Sequence, residues 1–477
     1  MFWYPTGGTP LPYDDLVEVH RGLLDRAREE DRGAGRPFLL GPDGRPDVRV
    51  NAFFLSRWMR ARSPLTWKKY AYALGLWLNF LLAMGRSWDT ATEGDAEYFK
   101  EWRLTDRSNP RPVETSTFAG DLAALRSFYR WAALTYGIAD PVAGTDNLDL
   151  RPHGVRDRDI KWFDPAGYRR WRDLGLRGHG IDGRPDPQWR GRNDQRDVAF
   201  ADGLYGSGLR LAEWASVLLI ELPEDDPARG YTTLHLANAC AKGGYGHRYW
   251  LPRTALLGVL DYVEGARARA VRRAQQAGSY QRVRAQRLLL AQHGGRLSIQ
   301  EPDGRQNSPA VNAIGPRTRA RLFRPASAGL EPLALWLNED GMPRAAHGWE
   351  HTFAAANARI AGMGLPGFAC TPHMLRHSCA LRWYAVGRLI YERRFAHLDE
   401  EEQRDFRVQF GSTWDLVATM LGHRSPETTR QHYLEPFRTL ELELLLHHAQ
   451  EAAVDGFLTG YLADHPLVRT DPVPGLR

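Results

Sequence analysis

Apolar residues recur at spacings of three and four from residue 50 to about 142, the period of helices with one buried face. Phe53, Phe54, Leu55 and Trp58 open the pattern, and Trp67, Tyr70, Leu74, Trp77, Leu78 and Leu81 continue it. Further helical stretches cover residues 95–102 and 118–136, the latter through Leu122, Leu125, Phe128, Tyr129 and Trp131. Four or five helices in this span predict a small all-α domain over residues 49–145. The periodicity then lapses into an Asp-, Pro- and Arg-rich stretch, placing a linker at 146–164. A larger domain is expected over 165–450. A helix over 197–220 is broken at Tyr205-Gly206-Ser207-Gly208, and alternating stretches at 231–236 and 247–251 read as strands joined by a Gly-rich turn. Helices resume from Leu256. The predicted fold class is mainly α (α+β): an N-terminal helical domain, then a mostly helical domain with a small antiparallel sheet.

Two segments break this plan. Residues 265–325 hold thirteen arginines against two acids, Glu301 and Asp303, and the second half is rich in Gly, Pro, Asn and Gln. They read either as a solvated helix followed by a loop or as an insertion that touches a polyanion. Residues 385–412 read as a charged surface helix. Residues 1–48 form a Pro- and Gly-rich leader and 451–477 a tail. The stretch 440–462 is amphipathic, which suits packing on its own domain.

Composition narrows the class. With 43% hydrophobic and 25% charged residues the chain is globular rather than fibrous or disordered. Its net charge of +6 and pI near 9.2 permit an anionic partner without requiring one. Cys240, Cys370 and Cys379 form no metal-ligand spacing and no disulfide framework, which points to a reducing cytoplasm and to no metal or cofactor. The most apolar run, residues 70–84, contains Asn79 and is too short to span a membrane.

The candidate chemistry lies in polar groups set into helices. Tyr205 to Glu213 places Arg210 just beyond a Gly-rich break, with Glu213 one turn on to hold its guanidinium. Lys242 sits at a hairpin tip and is the sole lysine after Lys161. His373, Arg376 and His377 share a helix face at i, i+3 and i+4. Leu421-Gly422-His423 precedes a helix capped by Ser425 and Pro426 that carries His432 and Tyr433. Each has an ordinary alternative: a salt-bridged cap, a turn lysine, a satisfied core histidine, a surface tyrosine.

The order Arg210, Lys242, His373-x-x-Arg376, Leu421-Gly422-His423, Tyr433, behind a helical domain, resembles the tyrosine recombinase (phage integrase) family over about residues 50–445. Nine residues separate His423 from Tyr433, one more than many members carry. The resemblance implies a SAM-like core-binding domain and a catalytic domain that clamp double-stranded DNA at specific sites. Tyr433 would be the nucleophile, giving a 3'-phosphotyrosyl link; Arg210 and Arg376 would bind the non-bridging oxygens and Lys242 would protonate the leaving oxygen. His373 would move the tyrosine's proton, His423 would hydrogen-bond the phosphate, and Glu213 and His377 would support them. Lys68, Lys69, Arg126, Arg130, Arg267, Arg272 and Arg273 are candidate DNA contacts. Family properties also imply a tetrameric synapse of identical chains, a nucleoid-associated cytoplasmic location and the business of a mobile element. The alternatives are a type IB topoisomerase and a non-catalytic DNA-binding protein on the same fold.

Overall fold

The computed structural model describes residues 36–60, 62–143, 162–395, 397–399, 401–405, 413–422 and 468–469. The chain divides into two compact units, residues 1–157 and 158–477.

The described part of the first unit is helical: α1 (Val48–Leu55), α2 (Pro64–Ala83), α3 (Glu93–Leu104) and α4 (Thr115–Tyr136), with a single turn at Arg57–Arg60. Local chemistry sets the boundaries. Ser63 accepts from the Thr66 amide with Pro64 at the first position of α2, and Thr92 and Asp95 form a reciprocal capping box on α3. Most of the face expected to be buried is buried, but Leu55 and Trp58, which open the sequence pattern, are exposed at 58% and 39%. Phe53, Leu74, Trp77, Phe99, Phe118, Phe128 and Tyr129 make one aromatic-rich core. The Tyr129 hydroxyl accepts from Trp77 Nε1 and donates to the Trp88 carbonyl, each at 2.9 Å, so the polar atoms carried inward are satisfied.

The described part of the second unit begins with β1 (Trp162–Phe163). Asp164 is buried and caps α5 (Pro165–Gly175) by accepting from the Gly167 amide at 2.6 Å, so it belongs to this unit's core. Helix α6 (Asp194–Ser207) and the one-turn α7 (Leu211–Trp214) flank the predicted Gly-rich break. The hairpin β2 (Tyr231–His235) and β3 (Arg248–Pro252) pairs antiparallel as expected. Next come α8 (Arg253–Tyr262) and α9 (Ala268–Gln276), joined through a π turn at Val263–Arg267 into one helical rod.

The Arg-rich segment departs from expectation. Its first part is the end of that rod, and the rest is a five-stranded sheet instead of a loop, extending past 325. The strands are β4 (Arg287–His293), β5 (Arg296–Gln300), β6 (Gln306–Asn307), β7 (Leu322–Ala326) and β8 (Gly329–Pro332), in the order β6-β5-β4-β7-β8. Because β4 pairs parallel with β7 this sheet is mixed. Two small cores cover it, one around Leu297, Ile299 and Leu322 and the other around Tyr280 and Phe323. A further parallel pair joins β1 to β9 (Val468–Arg469).

Helices α10 (His347–Gly362), α11 (Pro372–Phe395) and α12 (Thr413–Leu421) complete the described unit. Asn357 fixes the start of α11: its amide oxygen accepts from Trp171 Nε1 and from the Cys370 amide, and its nitrogen donates to the Cys370 carbonyl. The fold is thus mainly α with small sheets. Among the described residues no helix is long and apolar enough to cross a membrane, and no group of three or more His, Cys, Asp or Glu could hold a metal ion.

Candidate active site

Six of the predicted residues, Arg210, Glu213, Lys242, His373, Arg376 and His377, lie at the start of or on α7, on the β2–β3 turn and on α11, and a buried carboxylate connects the first three. Glu213 is 2% exposed. One of its oxygens accepts from the Arg210 amide at 2.9 Å; the other accepts from the Arg210 guanidinium at 3.0 Å and from the Lys242 amide at 3.1 Å. Burial opposes its ionisation, but Arg210, the two amides and Arg376 outweigh that cost and hold the carboxyl below its ordinary value. A carboxylate is therefore present throughout the neutral range. It tethers the Arg210 side chain, which is 29% exposed and able to meet a ligand, and the backbone that carries the exposed Lys242.

Arg376 is 1% exposed. Its guanidinium donates to the Gly208 carbonyl at 2.5 Å and to the Leu421 carbonyl at 2.8 Å. Gly208 ends α6 in the left-handed region at φ +66° and starts the segment leading to Arg210. Leu421 ends α12, two residues before His423. One arginine thereby ties the segment that leads to Arg210 to the end of α12. His373, on the same helix, is exposed, and its ring meets His377, which is buried, at 4.3 Å between centroids. His423, His432 and Tyr433 lie outside the described residues, as do the caps Ser425 and Pro426.

A group missed from sequence also reaches this region. His247 closes the Lys242 turn, and both of its ring nitrogens are covered. Desolvation, opposed by Glu213 and reinforced by Arg376, lowers its pKa and favours neutral imidazole. Its ring lies flat against Gly422, which has φ +64°; a methyl group there would fall 2.2 Å from Nε2. Gly422→Ala is accordingly expected to cost about 1–3 kcal/mol through backbone strain and overlap. A thermal melt of the full chain checks this, and an unchanged melting temperature would contradict the geometry. The one sequence signal was a histidine at the entry to a strand after a Gly-rich turn, and that pattern is too common to single it out.

The candidate DNA contacts separate. Lys68, Lys69, Arg130, Arg272 and Arg273 are exposed, Arg273 also donating to the Glu339 carbonyl. Arg126 is half-buried, two of its guanidinium nitrogens being covered. Arg267 is a correction: at 2% exposure it pairs with Glu331 at 2.6 Å and donates to the carbonyls of Pro332, Ala334 and Leu335. It closes the interior between the π turn and β8 and does not face solvent. A cleft of about 1020 Å³ lined by Tyr168, Arg172, Asp202, Tyr205 and Arg382 contains none of the predicted site residues.

Residues 52–135, most of the first unit's helices, match the phage integrase N-terminal SAM-like domain. The chain carries that domain over those residues. Similar solved structures include the XerH site-specific recombinase bound to palindromic difH substrate: 14% identity over 81% of this chain and 80% of that one, TM-score 0.46. The Tn1549 transposon integrase in complex with a circular intermediate DNA is 12% identical over 73% and 82%, TM-score 0.40. A lambda integrase dimer bound to a COC' core site is 10% identical over 78% and 90%, TM-score 0.39. No curated protein sequence matches the chain.

Proposed function

We propose that this protein is a site-specific DNA recombinase that cuts and rejoins strands through a 3'-phosphotyrosyl intermediate, in the service of a mobile element. The observation that carries the reading is Glu213. One buried carboxylate binds both the guanidinium of Arg210 and the backbone of Lys242, residues that sequence reasoning assigned to a single phosphate. The Tyr433 oxygen attacks the scissile phosphorus as its proton passes towards His373. Arg210, with Arg376 and His423, offsets the charge that builds on the non-bridging oxygens. The bond to the 5' oxygen breaks, and Lys242 supplies the proton that leaves it as a hydroxyl. The phosphotyrosyl bond retains the energy of the one broken, so a second 5'-hydroxyl reverses the step without ATP or metal. Exposed cations on α2, α4 and α9 contribute salt-sensitive contacts to the backbone of double-stranded DNA. Identical chains assemble as a tetramer on two duplexes.

The test uses nicked duplexes tiled across the DNA flanking the coding sequence, so that the cut strand diffuses away and the adduct accumulates. The expected result is a covalent protein–DNA species, absent from Tyr433→Phe, whose DNA-linked peptide contains Tyr433. An adduct that persists in Tyr433→Phe would move the nucleophile elsewhere, with Tyr461 the next candidate. Specific DNA binding with no adduct from the parent would favour a non-catalytic reading.

A further inference from the structure

We infer that the five-stranded insertion is part of the catalytic apparatus, with Asn312 as a positioning residue that fixes the turn carrying Lys242. This rests on the role proposed for Lys242. The insertion contains none of the motif residues that carry the family resemblance, and arginine content alone marks it as a surface for anions. Its inner edge does something else. Asn312 lies on a one-turn helix at Val311–Ala313, between β6 and β7. Its side-chain oxygen accepts from the Asn238 amide at 2.5 Å, and its main-chain carbonyl accepts from the Ala239 amide at 3.1 Å. Two consecutive amides at the start of the Lys242 turn thus end on one residue of the insertion. Asn238 in turn accepts from the Gly246 amide at 2.8 Å, closing the turn across its mouth. The buried Cys240 thiol lies 3.6 Å from the Ile314 carbonyl.

The insertion is itself welded to the helix that holds Arg210. Arg319, 2% exposed, donates to the carbonyls of Val311 and Ile314 on one side. On the other it donates to the Ser216 carbonyl and forms a two-point ion pair with Glu221 at 2.6 and 2.8 Å. Ser216 Oγ donates to the Glu213 carbonyl at 2.8 Å. The contacts therefore form a ring: Glu213 to Ser216, to Arg319, to the Val311–Ile314 turn, to Asn312, to the Lys242 turn, and back to Glu213 through the Lys242 amide. A turn rich in glycine would otherwise sample many conformations, and fixing it places a general acid before the substrate arrives. Asn312 touches no reacting atom; it acts through Lys242.

Two measurements test this, one free of DNA. In hydrogen–deuterium exchange on the full chain, Asn312→Leu should speed exchange of the amides of residues 238–242 by about tenfold, since it removes one acceptor of a paired amide. Asn312→Asp keeps the acceptor oxygen and should stay near the parent. Unchanged exchange in Asn312→Leu would overturn the proposal. The second measurement compares nicked substrates with an ordinary phosphodiester and with sulfur at the bridging 5' position. In the latter, attack by tyrosine expels a thiolate, whose low basicity removes the need for a proton from lysine. Asn312→Leu should cut the ordinary substrate about tenfold to a hundredfold more slowly and the sulfur substrate at the parent's rate, which also shows that the variant is folded and binds DNA. Equal loss on both substrates would overturn the positioning role. If the parent cuts neither, the proposed function fails, while the exchange experiment still decides whether Asn312 holds the turn.

Discussion

Arg376→Ala is expected to abolish adduct formation and to lower the melting temperature of the full chain. The side chain lies at 1% exposure and its two ends hold carbonyls of different helices, Gly208 after α6 and Leu421 at the end of α12. Truncation leaves both carbonyls buried beside a void the size of a guanidinium. Hydrogen bonds from a charged donor contribute about 1.5–3 kcal/mol each, so a total near 3–5 kcal/mol is the expected scale. The chemical loss has two sources. A cation proposed to meet the phosphate disappears, worth about a hundredfold to a thousandfold by analogy with single oxyanion donors. The segments leading to Arg210 and His423 also lose their shared anchor. Arg376→Lys separates these effects, because an ammonium keeps the charge but cannot span the two carbonyls in one plane. It should recover part of the stability and little of the cleavage. Thermal melts and the nicked-substrate assay read the two quantities; an Arg376→Ala protein that melts like the parent and cuts within tenfold of its rate would refute the assignment.

The first unit was legible in the sequence because its helices are long and each presents one apolar face, so period alone separates core from surface. Trp77 and Phe128 lie where the pattern put them, whereas Leu55 and Trp58 at its start are exposed. The insertion was not legible, for a physical reason. Its strands are two to seven residues long, and β4 runs Arg287-Leu288-Leu289-Leu290-Ala291, which has neither strand alternation nor helical period. A mixed sheet also needs partners distant in sequence, as in the parallel pairing of Leu288 with Phe323. Arginine was ambiguous for a related reason. A guanidinium with five donors can meet an external phosphate or satisfy several internal carbonyls, and composition cannot tell which. Arg267 and Arg319 took the internal option, so the anion-binding reading of that segment was too broad. The site divides in the same way. The pairing of Arg210 with Glu213 follows from their spacing of three, whereas the bond from Glu213 to the Lys242 amide spans 29 residues and depends on where the hairpin docks. The same docking brings His247 against Gly422.

Glu213 offers the second large effect, and pH exposes it. Glu213→Ala strips an acceptor from two partly buried amides and leaves Arg210 without its counter-charge, so Arg210 and the Lys242 turn lose their common reference. Breaking one side of a buried, hydrogen-bonded pair costs about 3–5 kcal/mol, less here because Arg210 is partly solvated. Cleavage should fall by at least a hundredfold, in keeping with the loss of oriented electrostatic groups. Glu213→Gln preserves shape and one acceptor and should retain more stability than alanine, while its amide nitrogen confronts donors on one side. The carboxyl is held below the ordinary glutamate value of 4.5, so its contribution has a definite sign with pH. In the unfolded chain the group takes up a proton as pH falls past 4.5, but in the folded chain it resists until lower pH. The stability it adds is therefore complete above the ordinary value and is lost as pH falls through the folded one. Melting curves of parent and Glu213→Gln between about pH 7 and pH 3 should be separated by a constant gap at the neutral end that narrows on the acid side. A gap that persists unchanged to pH 3, or none at pH 7, would show that the carboxylate's charge does not hold Arg210 and the Lys242 turn together.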